Sequence, residues 1–472
     1  MAIKRYKADA DNTIVNAYES NLRTRATGSN MGQADVSEVY SIYGRESTSS
    51  AELSRVLTKF DIASIESDRT AGTIPAKDSV SFYLRLFNAE TSKTVPRNFT
   101  LVAQAISKSW TEGDGLDLEN YKDSGVSNWI SASSGVAWDS AGGDYHALPA
   151  YSQSFSTGLE DLEIDVTTLV EEWIDDSKNN YGIGIRLTSS EETALTSYYT
   201  KRFFARGTQY FFKKPVIEAR WNSSLQDDRG DFYMSSSLAP AADNLNTLYL
   251  YNYVRGRLTN IPAVGTGEVY VDLYETLGGD SLTQTIATPA TGGYVSTGIY
   301  SCSVCLKGTY SSLRDVWHTG GVQYFTGTIS TQTVAATAVS TGNNRYITKI
   351  KNLKNKYFSE EEARFNVYVR SKNWSPTIYT VASSEIENTI IPSASFRVYR
   401  VLDGYNAIPH GTGSDLQTIL SYDVSGNYFN LDMSLLEPGY EYGIKLAFYD
   451  SQRQSWLEQD QKFLFRVEDY EY

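Results

Sequence analysis

Alternation of apolar and polar side chains is the feature that most restricts the fold of this chain. It recurs in runs such as SVSFYLRLFNA (79–89), GEVYVDLYETL (267–277) and YEYGIKLAFYD (440–450). A period of two places every second side chain on the same face of a strand, so these runs are typical of antiparallel strands with one buried face. The 35 tyrosines favour the same structure, because aromatic side chains suit half-buried pleated surfaces. The sequence therefore predicts an all-β chain.

One segment departs from this alternation. In DVTTLVEEWIDDSKNNYG (165–182) the apolar residues between Val166 and Ile174 recur at helical spacing, with Asp165 as the expected N-cap. A helix of about ten residues is marginal alone and must pack on a sheet, here through Leu169 and Trp173. We therefore expect one short helix added to a β domain.

The length of 472 residues predicts roughly three domains. The segments KKPVIEARWNSSLQDDRGD (213–231) and STQTVAATAVSTGNNRYITKI (330–350) have the composition of junctions. We expect a jelly-roll or β-sandwich domain over 1–222, an immunoglobulin-like sandwich over 223–340, and an immunoglobulin- or fibronectin-III-like sandwich over 341–472. In the last, LLEPGYEYGIKLAFYD (435–450) resembles the entry of a tyrosine corner.

Charge and cysteine content restrict the partners. The net charge of −14 disfavours binding to nucleic acid or to anionic membranes, because phosphate contacts need Lys and Arg. The N-terminal sequence lacks the apolar core of a secretory signal, and no apolar run reaches 18 residues, so we expect synthesis in the cytoplasm. Cys302 and Cys305 form a CSVC motif inside a strand-like run, and we interpret them as buried strand cysteines rather than a redox or zinc pair.

The first domain carries a series of matching elements. They are SRVLTKFDIASI (54–65), SWTEGDGL (109–116), SNWISASSGVAWDSAGGDY (127–145), LEIDVTTLVEEWIDDSKNNYGIGIRL (162–187) and a last strand introduced by Pro215. In this order they resemble the DNRLRE-type module, a jelly roll related in shape to the TGF-β propeptide and to carbohydrate-binding folds. The longer element YYTKRFFARGTQYFFKKP (198–215) departs from the family pattern and puts the family's usual contacts at that edge in doubt.

The opening of the chain carries a second resemblance. Three segments, KRYKADADNTIVNAYESNL (4–22), TGSNMGQADVSEVYSIYGR (27–45) and ELSRVLTKFDI (52–62), are similar to structural proteins of large tailed bacteriophages, especially T4-like phages of marine bacteria. This resemblance implies a non-enzymatic virion component of the neck, tail, baseplate or capsid periphery. Its partners would be other virion proteins and copies of itself.

The stretch SWTEGDGLDLENYKDSGVSNW (109–129) is the richest in candidate chemistry. A glycosidase needs two carboxyls at a set separation, with one pKa raised by burial. The acids that could supply them share one polar loop and would mostly be solvated, which disfavours catalysis: Glu112, Asp114, Asp117, Glu119 and Asp123. A calcium site on Asp114, Asp117 and Glu119 is an alternative, although the spacing misses the EF-hand pattern. We otherwise expect no cofactor.

Aromatic rings near this loop allow a different function. Exposed Trp and Tyr rings can pack on the apolar face of a sugar, and the candidates are Trp110, Trp129, Trp138 and Tyr145. The competing interpretation, which we favour, is that they are core anchors. A carbohydrate-binding adhesion module that recognises host-surface glycans is therefore the alternative function.

Two further motifs are an aromatic and basic segment and a charged tripeptide. Arg, Tyr and Phe are enriched at protein interfaces, so we expect a subunit contact in YYTKRFFARGTQYFFKK (198–214), the alternative being an ordinary edge strand. The residues assigned to this contact are Arg202, Phe203, Phe204, Arg206 and Tyr210. The tripeptide Arg229-Gly230-Asp231 is interpreted as part of a charge-rich hinge, and the three histidines do not suggest a catalytic triad.

Overall fold

The computed structural model describes residues 2–43, 51–116, 125–236, 238, 240–332, 345–372, 374, 378 and 388–470. Strands dominate these residues, and the prediction of an all-β chain is confirmed. The chain forms two compact units, 2–222 and 223–472. The boundary expected near 340 stays a prediction.

The first unit contains twelve strands and the three α-helices found in the described residues. The strands are β1 (Ile3–Val15), β2 (Val36–Tyr43), β3 (Ala51–Phe60), β4 (Ser81–Leu86), β5 (Phe99–Ile106), β6 (Ser131–Ser133), β7 (Val136–Ala137), β8 (Tyr145–Phe155), β9 (Leu162–Asp165), β10 (Ile183–Leu187), β11 (Tyr198–Phe204) and β12 (Val216–Arg220). The helices are α1 (Ile62–Thr70), α2 (Thr167–Ile174) and α3 (Ser189–Glu192), with a 3-10 turn at Phe211–Lys213.

The long strand β1 organises the first unit. Its first half pairs with β12, and its second half pairs with β3 from Ala8 onward, with a bulge between Ala8 and Ala10. The sheet order is β8-β5-β10-β3-β1-β12-β4-β9, with β2 pairing both β3 and β11. The main core packs residues such as Phe60, Phe82 and Phe203 with Trp173 of α2. The predicted helix is thus present and packs through Leu169 and Trp173 as expected.

The expectation of a single helix was wrong. Helix α1 has only Ile65 fully buried and little apolar periodicity, so it lacks the pattern by which a helix is recognised in a sequence. Asp61 caps it by accepting a hydrogen bond from the backbone of Ala63. Helix α3 is one turn long and is closed by a capping box between Thr188 and Glu191. Capping side chains stabilise the starts of both helices, and hydrophobic periodicity does not reveal either helix.

The second unit contains the remaining strands. Those up to residue 332 are β13 (Phe232–Tyr233), β14 (Asn246–Tyr251), β15 (Tyr253–Val254), β16 (Arg257–Leu258), β17 (Val269–Tyr274), β18 (Ala290–Ser296), β19 (Ile299–Val304), β20 (Ser312–Thr319) and β21 (Val322–Gln332). Those after residue 345 are β22 (Tyr346–Ile350), β23 (Lys356–Phe358), β24 (Glu362–Ser371), β25 (Ala394–Arg400), β26 (Asn406–Ile408), β27 (Ser421–Asp423), β28 (Gly426–Asp432), β29 (Glu441–Asp450), β30 (Ser455–Glu458) and β31 (Phe463–Glu468). Three 3-10 turns accompany them at Asp228–Gly230, Ala241–Asp243 and Met433–Leu435.

Most strand pairs of this unit are antiparallel, and two of its sheets each contain one parallel pair. The order β13-β21-β20-β17-β18-β19-β14 makes one sheet, and β22-β24-β28-β27 and β23-β31-β29-β25-β26 make two others, with β30 beside β29. In the first and last of these sheets a short opening strand pairs in parallel with a late one, β13 with β21 and β23 with β31. Tyr442 is fully buried and its hydroxyl donates to the carbonyl oxygen of Glu437 at 2.7 Å, which is the bond of a tyrosine corner.

Candidate functional site

The aromatic candidates form a second, smaller core in the first unit. Trp129 and Trp138 are only 6% and 5% exposed, and they pack with Ile14, Leu57 and Ile106. Val56, the neighbour of Leu57, belongs to the main core, so the two residues point to opposite faces of strand β3. At strand β3 the sheet is therefore covered on both faces, and Trp129 and Trp138 lie within the outer layer.

Hydrogen bonds and a cation fix these rings. Trp110 donates from Nε1 to the carbonyl oxygen of Tyr181 at 2.7 Å, and Trp138 donates to that of Asn128 at 2.8 Å. The Arg55 guanidinium lies 5.1 Å from the Trp129 ring and 5.8 Å from the Tyr145 ring. Trp129 and Trp138 are thus core anchors, the interpretation favoured from the sequence, because buried rings offer no face to a sugar. Trp110 and Tyr145 are only partly buried against this core.

Glu112 is held by an arginine from far along the chain. Both of its carboxylate oxygens accept from Nη2 of Arg206, at 2.9 and 2.8 Å, and Oε1 also accepts from the backbone N–H of Asp11 at 2.8 Å. The Asp11 carboxylate in turn accepts from the backbone N–H of Arg206. Burial raises the pKa of Asp11 to about 7, with the Glu112 charge adding to this and Arg206 opposing it. The arrangement joins strand β1 to the loops that carry Glu112 and Arg206, and it opens no cleft.

The glycines beside Glu112 permit a close backbone approach. A Cβ on Gly113 would lie 2.0 Å from Oδ1 of Asn30, and a Cβ on Gly115 would lie 2.0 Å from the Asn30 carbonyl oxygen. Gly115 donates its N–H to Oδ1 of Asn30 at 2.9 Å. The Trp-x-Glu-Gly segment therefore packs against the opening segment of the chain and fixes the position of this loop.

The proposed calcium ligands lie mostly outside the described residues. Asp114 is exposed, whereas Asp117 and Glu119, together with Asp123, are not among the residues described. Across the described ranges, no group of three or more His, Cys, Asp or Glu side chains is placed to hold a metal ion. A calcium site here stays a prediction.

The predicted subunit contact is divided between core and surface. Phe203 is fully buried in the main core, which corrects its assignment to an interface. Strand β11 alternates, so Phe203 points inward while Arg202 faces out and pairs with Glu38 at 2.6 Å. Phe204 packs edge-on against Tyr210, which is 53% exposed. The Arg206 guanidinium is bound by Glu112. Of the five residues assigned to the contact, Tyr210 is the most exposed.

Lys201 was not identified from the sequence, and it is fully buried beside Phe203. Its ammonium donates to Oδ1 of Asn88 and to the carbonyl oxygens of Gly158 and Glu160 at 2.6 to 2.9 Å. Burial lowers its pKa to about 8, against the opposing effect of nearby carboxylates. Each of its three N–H donors has an acceptor, so this lysine has a structural role.

The cysteines of the second unit are buried and unoxidised. The Sγ of Cys305 lies 3.2 Å from Oγ of Ser235. Burial raises the pKa of Cys302 to about 12, which keeps the thiol protonated and unreactive at neutral pH. Both cysteines are buried as interpreted, with Cys302 in strand β19 and Cys305 directly after its end.

The charged segment at 227–231 is a buried clamp, which corrects its interpretation as a hinge. Arg229 donates to Asp227 at 2.7 Å and to Asp315 at 2.8 Å, and all three side chains are buried. Trp317 donates from Nε1 to the same Asp315 oxygen at 2.8 Å. Burial raises the pKa of Asp227 to about 6 in spite of Arg229. Asp228 accepts from the Tyr422 hydroxyl at 2.6 Å, so the segment also bonds to strand β27.

One Ser–His–Glu arrangement occurs in the second unit. Oγ of Ser395 lies 3.0 Å from Nδ1 of His410, whose Nε2 lies 3.6 Å from Glu458. Ser395 is fully buried, and its hydroxyl is shared with Thr418 at 2.8 Å. Glu458 is bound by Arg397 and Lys445. A buried hydroxyl cannot reach a substrate, so this arrangement is a core hydrogen-bond network.

No family model matches the chain. No curated protein matches it either. Within the described portion, no helix is long and apolar enough to cross a membrane.

The solved structures similar to this chain share little with it. The adhesin InvE of Yersinia pseudotuberculosis is 10% identical over 50% of this chain and 57% of its own, with a TM-score of 0.16. The alpha-2-macroglobulin of E. coli is 8% identical over 98% of this chain and 26% of its own, also with a TM-score of 0.16. An ice-binding adhesin of an Antarctic bacterium is 9% identical over 98% of this chain and 100% of its own, with a TM-score of 0.14. Similarities this weak assign neither a fold family nor a function.

Proposed function

We propose that this chain is a non-enzymatic structural component of a tailed-phage virion, located in the neck, tail, baseplate or capsid periphery. It is made in the host cytoplasm and assembles with other virion proteins and with copies of itself through the surfaces of its β-sandwich units. The resemblance of segments 4–22, 27–45 and 52–62 to phage structural proteins supports this assignment.

One observation carries the proposal: the side chains that most suggest chemistry are engaged inside the fold. Trp129 and Trp138 are core residues, and Glu112 is paired with Arg206. Core packing of the rings and pairing of the acidic side chains fix the loops relative to the sheet. A unit fixed in this way can keep its shape when it packs against neighbouring subunits.

The test is to locate the chain in purified particles. Quantitative mass spectrometry of density-purified virions should recover it at a constant ratio to the major capsid protein, and cryo-EM of the same particles should show two β-rich units with this strand order. Absence of the chain from particles, with its recovery only in the lysate, would overturn the proposal. Incubation of polysaccharide with the purified chain should release no new reducing ends.

A cleft in the second unit favours the alternative, carbohydrate binding, at a place the sequence did not indicate. It has a volume of about 360 Å³, and its lining includes Tyr346, Tyr449, Gln452 and Gln459. Tyr449 is 40% exposed, so its ring can stack on the apolar face of a sugar. Glycan-array binding that Tyr449→Ala abolishes, and that Tyr253→Ala leaves intact, would establish the alternative. Tyr253 is similarly exposed and lies in the distinct two-stranded sheet β15–β16.

A further inference from the structure

The amine of Lys201 and the amide of Asn88 face each other inside the first unit. Nζ of Lys201 lies 2.6 Å from Oδ1 of Asn88, although the two residues are 113 positions apart in the sequence. Asn88 forms a β-bridge with Phe203 on strand β11, the strand that also carries Lys201. Backbone pairing therefore holds the amide in place beside the amine.

Aromatic rings enclose this pair of groups. Lys201 is 1% exposed, and its Nζ lies 4.7 Å from the centre of the Phe203 ring and 5.3 Å from that of Phe155. Both rings belong to the main core. Enclosure of this kind limits the access of water to the amine and keeps it in one position against the amide.

The other two acceptors of the Lys201 ammonium are backbone carbonyl oxygens. They belong to Gly158 at 2.9 Å and to Glu160 at 2.8 Å. A neutral amine has two N–H donors and one lone pair, so these two carbonyls can keep both donors. The lone pair then points toward the third position, which the Asn88 amide occupies. Loss of one proton therefore converts a hydrogen-bonded ammonium into a nucleophile directed at an amide.

Burial and a nearby carboxylate support this chemistry. Burial lowers the pKa of Lys201 to about 8, although the charges of Asp161 and Glu160 oppose the effect. A fraction of the amine is thus neutral near physiological pH. The Asp161 carboxylate also accepts the backbone N–H of Asn88 at 2.7 Å. A group that can carry a proton therefore lies beside both reacting residues.

We propose that Lys201 and Asn88 form an amide cross-link within the chain. Nζ of Lys201 attacks Cγ of Asn88 and forms a C–N bond, while the bond between Cγ and Nδ2 breaks. One proton passes from the attacking nitrogen to Nδ2 by way of Asp161, and Nδ2 leaves as ammonia. One amide replaces another, so the reaction uses no oxidant, reductant or further reactant.

The cross-link goes beyond the assembly function and does not depend on it. Strand β11 pairs with β2 outside the main strand order of the sheet. A covalent bond from Lys201 to Asn88 would fix this strand to the segment that follows β4. It would also close a long loop of the chain, which restricts the unfolded state.

Intact-mass spectrometry of the purified full-length chain tests the cross-link. The wild type should be lighter than the mass expected from its sequence by one ammonia, about 17 Da. Trypsin should not cut after Lys201, and the digest should contain one branched peptide that joins Asn88 to Lys201. Asp161→Asn keeps an acceptor for the Asn88 N–H but cannot carry the proton, so it should lower the cross-linked fraction.

Three variants assign the mass change to these residues. Lys201→Met and Asn88→Ala should each keep the full mass expected from their sequences. Lys178→Met is the matched control, because the Lys178 ammonium also binds a backbone carbonyl, that of Leu148 at 3.0 Å, but pairs with the Glu172 carboxylate at 2.6 Å. This control should lose ammonia as the wild type does.

The wild-type measurements decide the proposal even if a variant fails to fold. A wild type of full mass that trypsin cuts after Lys201 would overturn it. A loss of ammonia without the branched peptide would indicate ring closure at an asparagine and would overturn it as well. Either result leaves the recovery of the chain in virions, and so the assembly function, unaffected.

Discussion

The loop around Glu112 in the first unit and the segment 227–231 in the second are both dense in carboxylates, yet they bury those charges to different depths. Glu112 and Arg206 stay partly exposed, with side-chain exposures of 22% and 35%. Asp227, Asp315 and Arg229 are almost fully enclosed, at 2%, 0% and 10%. A partly exposed pair contributes little to stability, whereas a buried group that loses its partner is strongly destabilising. The two regions should therefore respond very differently to equivalent changes.

The largest effect is expected from Arg229→Leu. It leaves Asp227 and Asp315 buried without a cation, and the second unit should lose about 3–5 kcal/mol of unfolding free energy. Urea unfolding at neutral pH measures this. Replacing both aspartates with asparagine in the same variant should recover most of the loss. A loss below about 1 kcal/mol would show that the clamp is not essential.

Asp11→Asn should give the next largest effect, and it should depend on pH. The folded pKa of Asp11, about 7, lies above the unfolded value of about 4, so its proton is held more tightly in the folded state. The stabilisation is therefore present at low pH and is lost as pH rises through about 7. At pH near 8 the variant should be more stable than wild type by about 1–3 kcal/mol, and near pH 5 the difference should shrink. Asp9→Asn, at an exposed position on the same strand, is the control, and identical pH profiles for the two variants would contradict the expectation.

Glu112→Gln should have a smaller effect than either. The amide still accepts the N–H of Asp11 but loses the charge that pairs with Arg206, and we expect a loss of about 1 kcal/mol in the first unit. High salt should reduce the difference from wild type, since the pair is screened. A loss as large as that of Arg229→Leu would mean that the two regions do not differ in the way their burial indicates.

Asp114→Asn should change least. The side chain is exposed, and surface changes of this kind stay within about 0.5 kcal/mol. Measuring the free energy of unfolding in calcium and in a chelator tests the predicted calcium site directly. A calcium-dependent rise in stability that the variant loses would establish a site involving Asp114.

Strand alternation and helical spacing indicated much of the fold because they reflect which side chains face the core. Trp173 and Tyr442 were placed correctly for this reason. Lys201 was misjudged as part of a surface segment, although it shares the inward parity of Phe203 along β11. Its acceptors on Asn88, Gly158 and Glu160 lie far away in sequence, so only the folded chain brings them together.

The candidate site was less predictable than the fold because its character depends on distant partners. Whether Glu112 is a catalytic acid or a bound one is decided by Arg206, 94 residues later. The ion-pair cluster around Glu218 has the same origin: Arg5, Arg85 and Arg220 come from three separate strands, and no short motif connects them. The composition shows which charged side chains the chain has, whereas contacts between distant residues determine which of them are paired in the folded chain.

The pairing of β1 with β12 has a mechanical consequence. Ile3 lies opposite Arg220, so the chain enters and leaves the first unit at the same end of one antiparallel ladder. Tension applied between these two points would open the ladder one bond at a time, from that end inward, instead of shearing all its bonds together. Because β12 also pairs with β4, peeling it away from β1 would open that second ladder as well. The first unit should therefore yield readily to a pull between these two ends, since only the bonds at the opening end carry the load at any one time.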